Sequence, residues 1–316
     1  MLNTDKFLSH IENPQIGAIQ RIQTVLLAEM QSYAQSQGFV QLMPVLMSPF
    51  TDPLNHSVYP AEINYEDTRL KLTASMIFHK QLALIPDDID KIFIVSPNIR
   101  LEKAIVKNSE NHLLEFSQFD IEMKNADMGQ AMDFIEAMLK QVFTGIKEQC
   151  TGDLAQVGSR LAELDIDRPF PRYSSQELHA RYGDSFEEVI SETSDTPCFV
   201  TSFKREFYDR EDPGAPGIYR NFDLIYPRGF GEASSGAERE YAYDDIVRRM
   251  KELDMNLEGY SNYLELAEQG RIPQTAGAGI GVQRGKIKRG ETHVRTHVHD
   301  HTSRRARQGI GALQAR

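Results

Sequence analysis

Two stretches of this sequence hold side chains at spacings suited to chemistry. In NIRLE (98–102), Asn98, Arg100 and Glu102 fall on one side of an extended chain, because successive side chains of a strand point to opposite faces. In LLEFSQFDIEM (113–123), Leu114, Phe116, Gln118, Asp120 and Glu122 share one face. Leu113, Glu115, Ser117, Phe119, Ile121 and Met123 share the other, mostly apolar one. Laid side by side, the two strands bring an arginine, three carboxylates, two amides and an aromatic ring to one surface. A solvated face accounts for charges alone; a ring beside an arginine also suits a flat base and its phosphate. The second stretch is TAGAGIGVQR (275–284), where Gly277, Gly279 and Gly281 alternate ahead of Arg284. That pattern fits a backbone pressed against a nucleotide, yet glycine also marks ordinary bulges and turns, so by itself it decides nothing.

The elements that must position these residues follow from periodicity. Asn13 and Pro14 open an amphipathic helix over 13–37, with Ile16, Ile19, Ile22, Leu26, Met30 and Tyr33 at helical spacing. FVQLMPVLMSP after Gly38 reads as an extended edge or interface segment, since Pro44 and Pro49 interrupt it. Strands are expected over 68–73, 91–102 and 113–123, and in CFVTSF, NFDLIYP and GFGEASSG. Helices are expected over 75–84, over 128–146 and in YDDIVRRMKEL. Residues 151–195 read as a surface excursion. Grouped strands with interspersed helices, rather than alternating βα units, point to an α+β domain with an antiparallel sheet flanked by helices.

Composition narrows the classes. The chain has 316 residues, 40% of them hydrophobic, enough for a sizeable core. It has no apolar run of about 18 residues and no signal-like start, so a cytoplasmic protein without a membrane span is expected. Cys150 and Cys198 are too few and too isolated for a disulfide framework or a zinc knuckle. Net charge is −11, unevenly spread: from Arg284 onward there are 9 Lys/Arg against 2 Asp/Glu, which leaves 26 against 44, or −18, before it. Such an acidic body is a poor generic binder of nucleic acid.

NIRLE followed by HLLEFSQFDIEM resembles the second signature motif of class II aminoacyl-tRNA synthetases, in their aspartyl/asparaginyl branch. QGFVQLMPVL, with Pro44, resembles the first motif and GAGIGVQR the third, while GFGEASSGAERE (229–240) matches that branch's acidic, serine- and glycine-containing strand. Within the branch, SPFTDPLNHSVYPAEINYEDTRLKLTASMIFHKQLAL and FKREFYDREDPGAPGIYRNFDLIYPRGFGEASSGAERE are similar to archaeal-type asparagine synthetases. The resemblance implies a class II synthetase-like catalytic domain over 1–284 and a homodimer with Pro44 at its interface. It also implies an ATP- and Mg²⁺-dependent ligase that adenylates aspartate and transfers the acyl group to ammonia, giving asparagine. With the first motif near residue 38 and no anticodon-binding module ahead of it, tRNA is not an expected partner.

The same resemblance assigns roles. Arg100 faces the α-phosphate, Phe116 stacks on adenine, Glu102 lies by its amino group and Arg284 takes the γ-phosphate, with Gly279 and Gly281 beside the nucleotide. Asp223 and Glu232 are the Mg²⁺ ligands, hard oxygens suited to a cation that bridges phosphates. Ser75, Lys80, Gln118, Asp120, Ser235 and Arg239 match the amino-acid subsite, Asp120 for the α-ammonium and Arg239 for a carboxylate. In tRNA-charging relatives that arginine reads the side-chain carboxylate; an asparagine-forming enzyme must turn aspartate round, so Arg239 is expected on the α-carboxylate. Ile77 in ASMIFHK stands where aspartyl enzymes have a glutamine.

Other readings stay open. Arg100 and Glu102 can form a structural ion pair, Arg239 and Glu240 can simply start the next helix, and Lys80 can be a solvated lysine. The chain can also be an amide ligase for a different acid or amine, or a non-catalytic amino-acid or nucleotide binder. After Arg284 the family's apolar helix is replaced by GKIKRG and a His/Arg-rich tail (285–316), expected to be flexible. His293, His297, His299 and His301 there suit a metal, and the basic residues a nucleic acid.

Overall fold

The computed structural model describes residues 4–54, 56–103, 113–282, 288–289 and 292–293. The first long helix, Pro14–Ser36, begins as its cap residues dictate: the Asn13 side chain accepts a hydrogen bond from the Gln15 N–H at 3.0 Å, and Pro14 occupies the first turn. The helix Met128–Gln149 opens on a reciprocal capping box between Asp127 and Gln130. Both helices pack into one core with Phe93, Phe119, Ile121, Phe199, Phe222 and Ala278 from the sheet.

Eight strands make that sheet, in the order Val40–Gln41, Lys91–Ile99, Glu115–Lys124, Thr275–Gly281, Gly231–Glu238, Asn221–Tyr226, Cys198–Thr201 and Arg172–Ser174. All neighbours run antiparallel except the outermost pair at each edge, which is parallel. Side-chain alternation sends Phe119 and Ile121 into the helix-covered core. It leaves Gln118, Asp120 and Glu122 on the opposite face. That second face is closed at one end by an aromatic cluster of Phe50, Phe78, Phe207, Tyr208, Tyr260 and Tyr263, which the Tyr243–Glu252 helix joins through Ile246 and Met250.

Register explains the alternating glycines. Gly277 sits opposite Glu122, Gly279 opposite Asp120 and Gly281 opposite Gln118. A β-carbon on Gly277 would lie 2.2 Å from Glu122 Oε2 and 2.2 Å from the Ile121 carbonyl. One on Gly279 would lie 2.9 Å from both Asp120 Oδ1 and Gln118 Nε2. The glycines therefore lower the sheet surface so that polar side chains of the neighbouring strand can lie across it.

Three expectations need correction. The strand expected over 91–102 ends at Ile99, and Leu101–Glu102 pairs instead with Val58–Tyr59. The chain leaves the sheet there although the Arg100 N–H still donates to Leu114 O at 2.9 Å, the next step of the same ladder, while on the other side the Ile99 N–H donates to Thr73 O, also at 2.9 Å. Residues 151–195 are no mere surface excursion. They supply the edge strand Arg172–Ser174 and helices Ser175–Tyr182 and Phe186–Thr193, and Leu178, Phe186 and Ile190 pack on Cys198, Val200 and Ile225. Helices Thr4–Ile11 and Ser261–Glu268 were not expected either; eight residues give too few turns for a readable period. Arg284, His297, His299 and His301 lie outside the described residues; Lys288–Arg289 and Thr292–His293 form a short antiparallel pair. Among the described residues no helix is long and apolar enough to cross a membrane.

Candidate active site

On the open face of the sheet is a cavity of about 260 Å³. Of the residues singled out from sequence, Ser75, Lys80, Arg100, Gln118, Asp120, Glu232, Ser235, Arg239 and Gly279 line it together. They come from positions as far apart as Ser75 and Gly279. One register row accounts for much of this, since Asp120 pairs with Gly279, Gly279 with Ser235, and Ser235 with Asp223.

Lys80 is not a solvated lysine. It is 3% exposed, donating to Asp120 Oδ1 at 3.0 Å and to the Ala278 carbonyl at 3.3 Å, with Glu122 Oε2 at 3.6 Å. Asp120 also accepts a hydrogen bond from the Ser96 hydroxyl through its other oxygen. Arg239 does not start a helix. Its guanidinium is buried, with Nε donating to Glu122 Oε1 at 3.2 Å, Nη2 to the Gly277 carbonyl at 3.0 Å, and Nη1 3.6 Å from Asp209. Burial alone disfavours its charge, but Glu122 and Asp209 outweigh that and raise its pKa. A buried guanidinium at the cavity wall is suited to clamp a carboxylate or carboxamide.

Arg100 lies at the strand break, its Nε donating to the Ala74 carbonyl at 3.1 Å and its guanidinium stacked 5.1 Å from the Phe116 ring centre. It is therefore not the ion-pair partner of Glu102, whose carboxylate meets His56 Nε2 at 3.0 and 3.1 Å. Glu102 and Phe116 stand behind His56 and Arg100, which line the cavity in front of them. Gly281 lies at the strand end, next to Gln118.

Asp223 is buried, with both carboxylate oxygens 2.8 Å from Arg205 Nη1. Burial raises its pKa, Arg205 lowers it and Glu232 raises it again, to about 7. Among the described residues no three acidic, His or Cys groups gather as a closed metal cage. Of the two carboxylates expected to hold Mg²⁺, Glu232 lines the cavity, whereas Asp223 does not and has both oxygens on Arg205.

Sequence reasoning missed one wall of the cavity: Asp52, His56, Arg205, Glu206, Tyr208 and Asp209. Tyr208 donates to Asp52 Oδ2 at 3.1 Å, and Arg205 Nε lies 3.2 Å from Glu206 and 3.7 Å from Asp209. Burial, then Asp209, raise the Glu206 pKa to about 8. The charged run REFYDRED was visible, but it lies in a loop without periodicity, so nothing in it indicates which residues face inward.

A family model described as tRNA synthetases class II (D, K and N) matches residues 2–290. The asparagine–tRNA ligase of Pyrococcus abyssi is 27% identical over 292 residues, which are 87% of this chain and 65% of that protein. The aspartate–tRNA(Asp/Asn) ligase of Archaeoglobus fulgidus is 29% identical over 293 residues, again 87% and 65%. The chain thus spans about two thirds of the length of these relatives, a little under it. The crystal structure of asparaginyl-tRNA synthetase from Pyrococcus horikoshii complexed with asparaginyl-adenylate superposes with a TM-score of 0.79 at 24% identity, covering 89% of this chain and 67% of that one. The class II fold, with its large sheet flanked by helices, is therefore as expected, and ATP and Mg²⁺ are the cofactors of this class. The relatives' names overturn two other expectations. They are named for joining asparagine or aspartate to tRNA, not for ammonia-dependent asparagine synthesis, and tRNA is the partner those names carry. The reversed aspartate at Arg239 was expected only for ammonia-dependent asparagine synthesis and falls with that expectation.

Proposed function

We propose that this chain, which belongs to the class II (D, K and N) tRNA synthetases, activates aspartate or asparagine with ATP and passes the aminoacyl group to tRNA. In the first step the amino acid's α-carboxylate attacks the α-phosphorus and the bond to pyrophosphate breaks, leaving a mixed anhydride. In the second a terminal ribose hydroxyl of tRNA attacks the acyl carbon, and AMP leaves with the electrons of the broken anhydride bond. The chain is thus an ATP-dependent ligase, with both substrates of the first step held in the cavity described above.

The observation that carries this reading is the convergence of opposite charges in one cavity, where we assign Asp120 to the ammonium and Arg239 to the side-chain carboxylate or carboxamide. Lys80 holds Asp120 in place, and Ser75, Gln118 and Ser235 complete the polar wall. Arg100 offsets charge on the α-phosphate as it builds. Phe116, behind Arg100, offers the flat face for adenine, and Arg284 is proposed for the far phosphate. Mg²⁺ held by Asp223 and Glu232 would supply positive charge at the bridging phosphate oxygens. The homodimer is likewise proposed, supported by the exposed Val40, Met43, Leu46 and Met47 around Pro44.

Pyrophosphate exchange tests the first step. We expect exchange that depends on aspartate or asparagine, and retention of that labelled amino acid on tRNA when tRNA is added. Tight ATP binding without exchange in the presence of either amino acid would overturn the reading.

A further inference from the structure

One wall of the cavity holds a hydrogen-bond chain whose direction is set by a backbone carbonyl. Asn98 and Gln118 lie on adjacent strands, where Ser96 pairs with Gln118 and Asn98 with Phe116. Asn98 is fully buried. Its Nδ2 lies 3.2 Å from the Ser96 carbonyl, 3.2 Å from Ser96 Oγ and 3.0 Å from Gln118 Oε1. A backbone carbonyl can only accept, so the end of the Asn98 amide that faces it must be the NH₂. The other end, Oδ1, is buried without a hydrogen-bond partner among the described residues. Turning the amide round would set oxygen against oxygen and strand the NH₂ instead.

The same NH₂ then dictates how Gln118 stands. The end of Gln118 that meets Asn98 must be its oxygen, which leaves Nε2 on the far side, over Gly279, 2.9 Å from where a β-carbon would be. Gln118 and Gly279 both line the cavity. Polarity therefore runs from the Ser96 carbonyl through Asn98 and emerges at the cavity wall as a donor.

We propose that Asn98 is a positioning residue that locks the Gln118 amide with its NH₂ toward the cavity, so that this wall takes a substrate oxygen and rejects an ammonium. This rests on the amino-acid-activating reading and deepens it. Asp120, engaged by Lys80 and by Ser96, is the adjacent acceptor, so a zwitterion is read in one sense only: carboxyl or carbonyl oxygen at Gln118, ammonium at Asp120. An unlocked Gln118 presents either end and loses that discrimination.

A double-mutant cycle on the full chain tests it, with pyrophosphate exchange as the readout. Gln118→Met should raise the amino-acid KM about 10- to 100-fold, the range for losing one hydrogen bond to a charged group, and leave the ATP KM unchanged. Asn98→Leu should raise it by less, about twofold or more as the share of Gln118 amides facing the right way falls, and added to Gln118→Met should raise it no further. An additive rise, an equal rise in the ATP KM, or a lowered Tm with both KM values unchanged would overturn the proposal. An atomic-resolution crystal structure of the unmodified chain decides the matter even if Asn98→Leu does not fold. Gln118 Oε1 turned to the cavity sinks the proposal whatever the activity. Absence of exchange in the unmodified chain with either amino acid counts against the functional reading instead.

Discussion

At the scale of single residues the cavity concentrates charge that the fold only partly balances. Arg205 is shared among Asp223, Glu206 and Asp209, so one guanidinium serves three carboxylates. Glu206 bears the consequence: burial, then its acidic neighbours, move its pKa from an ordinary 4.5 to about 8. A carboxyl whose pKa is higher folded than unfolded keeps its proton in the folded state across that interval, while the unfolded state gives its proton up. Stability is then complete below pH about 4.5 and falls as pH rises through about 8. We expect the Tm to decline between those limits and Glu206→Gln to flatten the decline, measured by thermal unfolding in a pH series. A Glu206→Gln profile parallel to that of the unmodified chain would show that Glu206 is not the source. Residue identity at Arg100, Lys80, Asp120 and Arg239 was legible in the sequence through motif order. Asp52, Tyr208 and Glu206 were not, because loop residues have no period from which a facing direction can be read.

At the scale of elements the Thr275–Gly281 strand decides the shape of the site. Its alternating glycines were legible as a pattern, and the natural reading was a backbone against a nucleotide. The register gives a different reason at Gly277, where Glu122 and the Ile121 carbonyl fill the space a side chain would need. Gly277→Ala should therefore destabilise the chain by about 1–3 kcal/mol, the range for overpacking a dense interior. Gly259→Ala, with nothing within 4 Å of the new carbon, should change stability little. Urea unfolding of the two variants makes the comparison, and equal midpoints would refute the steric account. The break after Ile99 lay beyond sequence reading for a related reason. Alternation in 98–102 is unbroken, so nothing local marks the point at which Leu101–Glu102 leaves the sheet to pair with Val58–Tyr59.

At the scale of the whole molecule, the segment after the first long helix leaves apolar side chains in water. Met43 is 76% exposed, with Val40, Leu46 and Met47 also uncovered. Grouped exposed apolar residues of this kind mark association surfaces. The unmodified chain should run as a dimer in light scattering, and Met43→Glu with Leu46→Glu should shift it to a monomer. A monomeric unmodified chain would remove the basis for the homodimer. The sequence by itself determined the fold class, the strand through LLEFSQFDIEM and half of the residues that line the cavity, because ordered motifs and two-residue alternation are local properties of a chain. Only the tertiary structure decided that Lys80 is buried on Asp120, that Glu102 leaves the face of Asn98 for His56, and that residues 205–209 form a wall. Those outcomes depend on register and on contacts between segments as far apart as those of Lys80 and Ala278, and no local pattern encodes them.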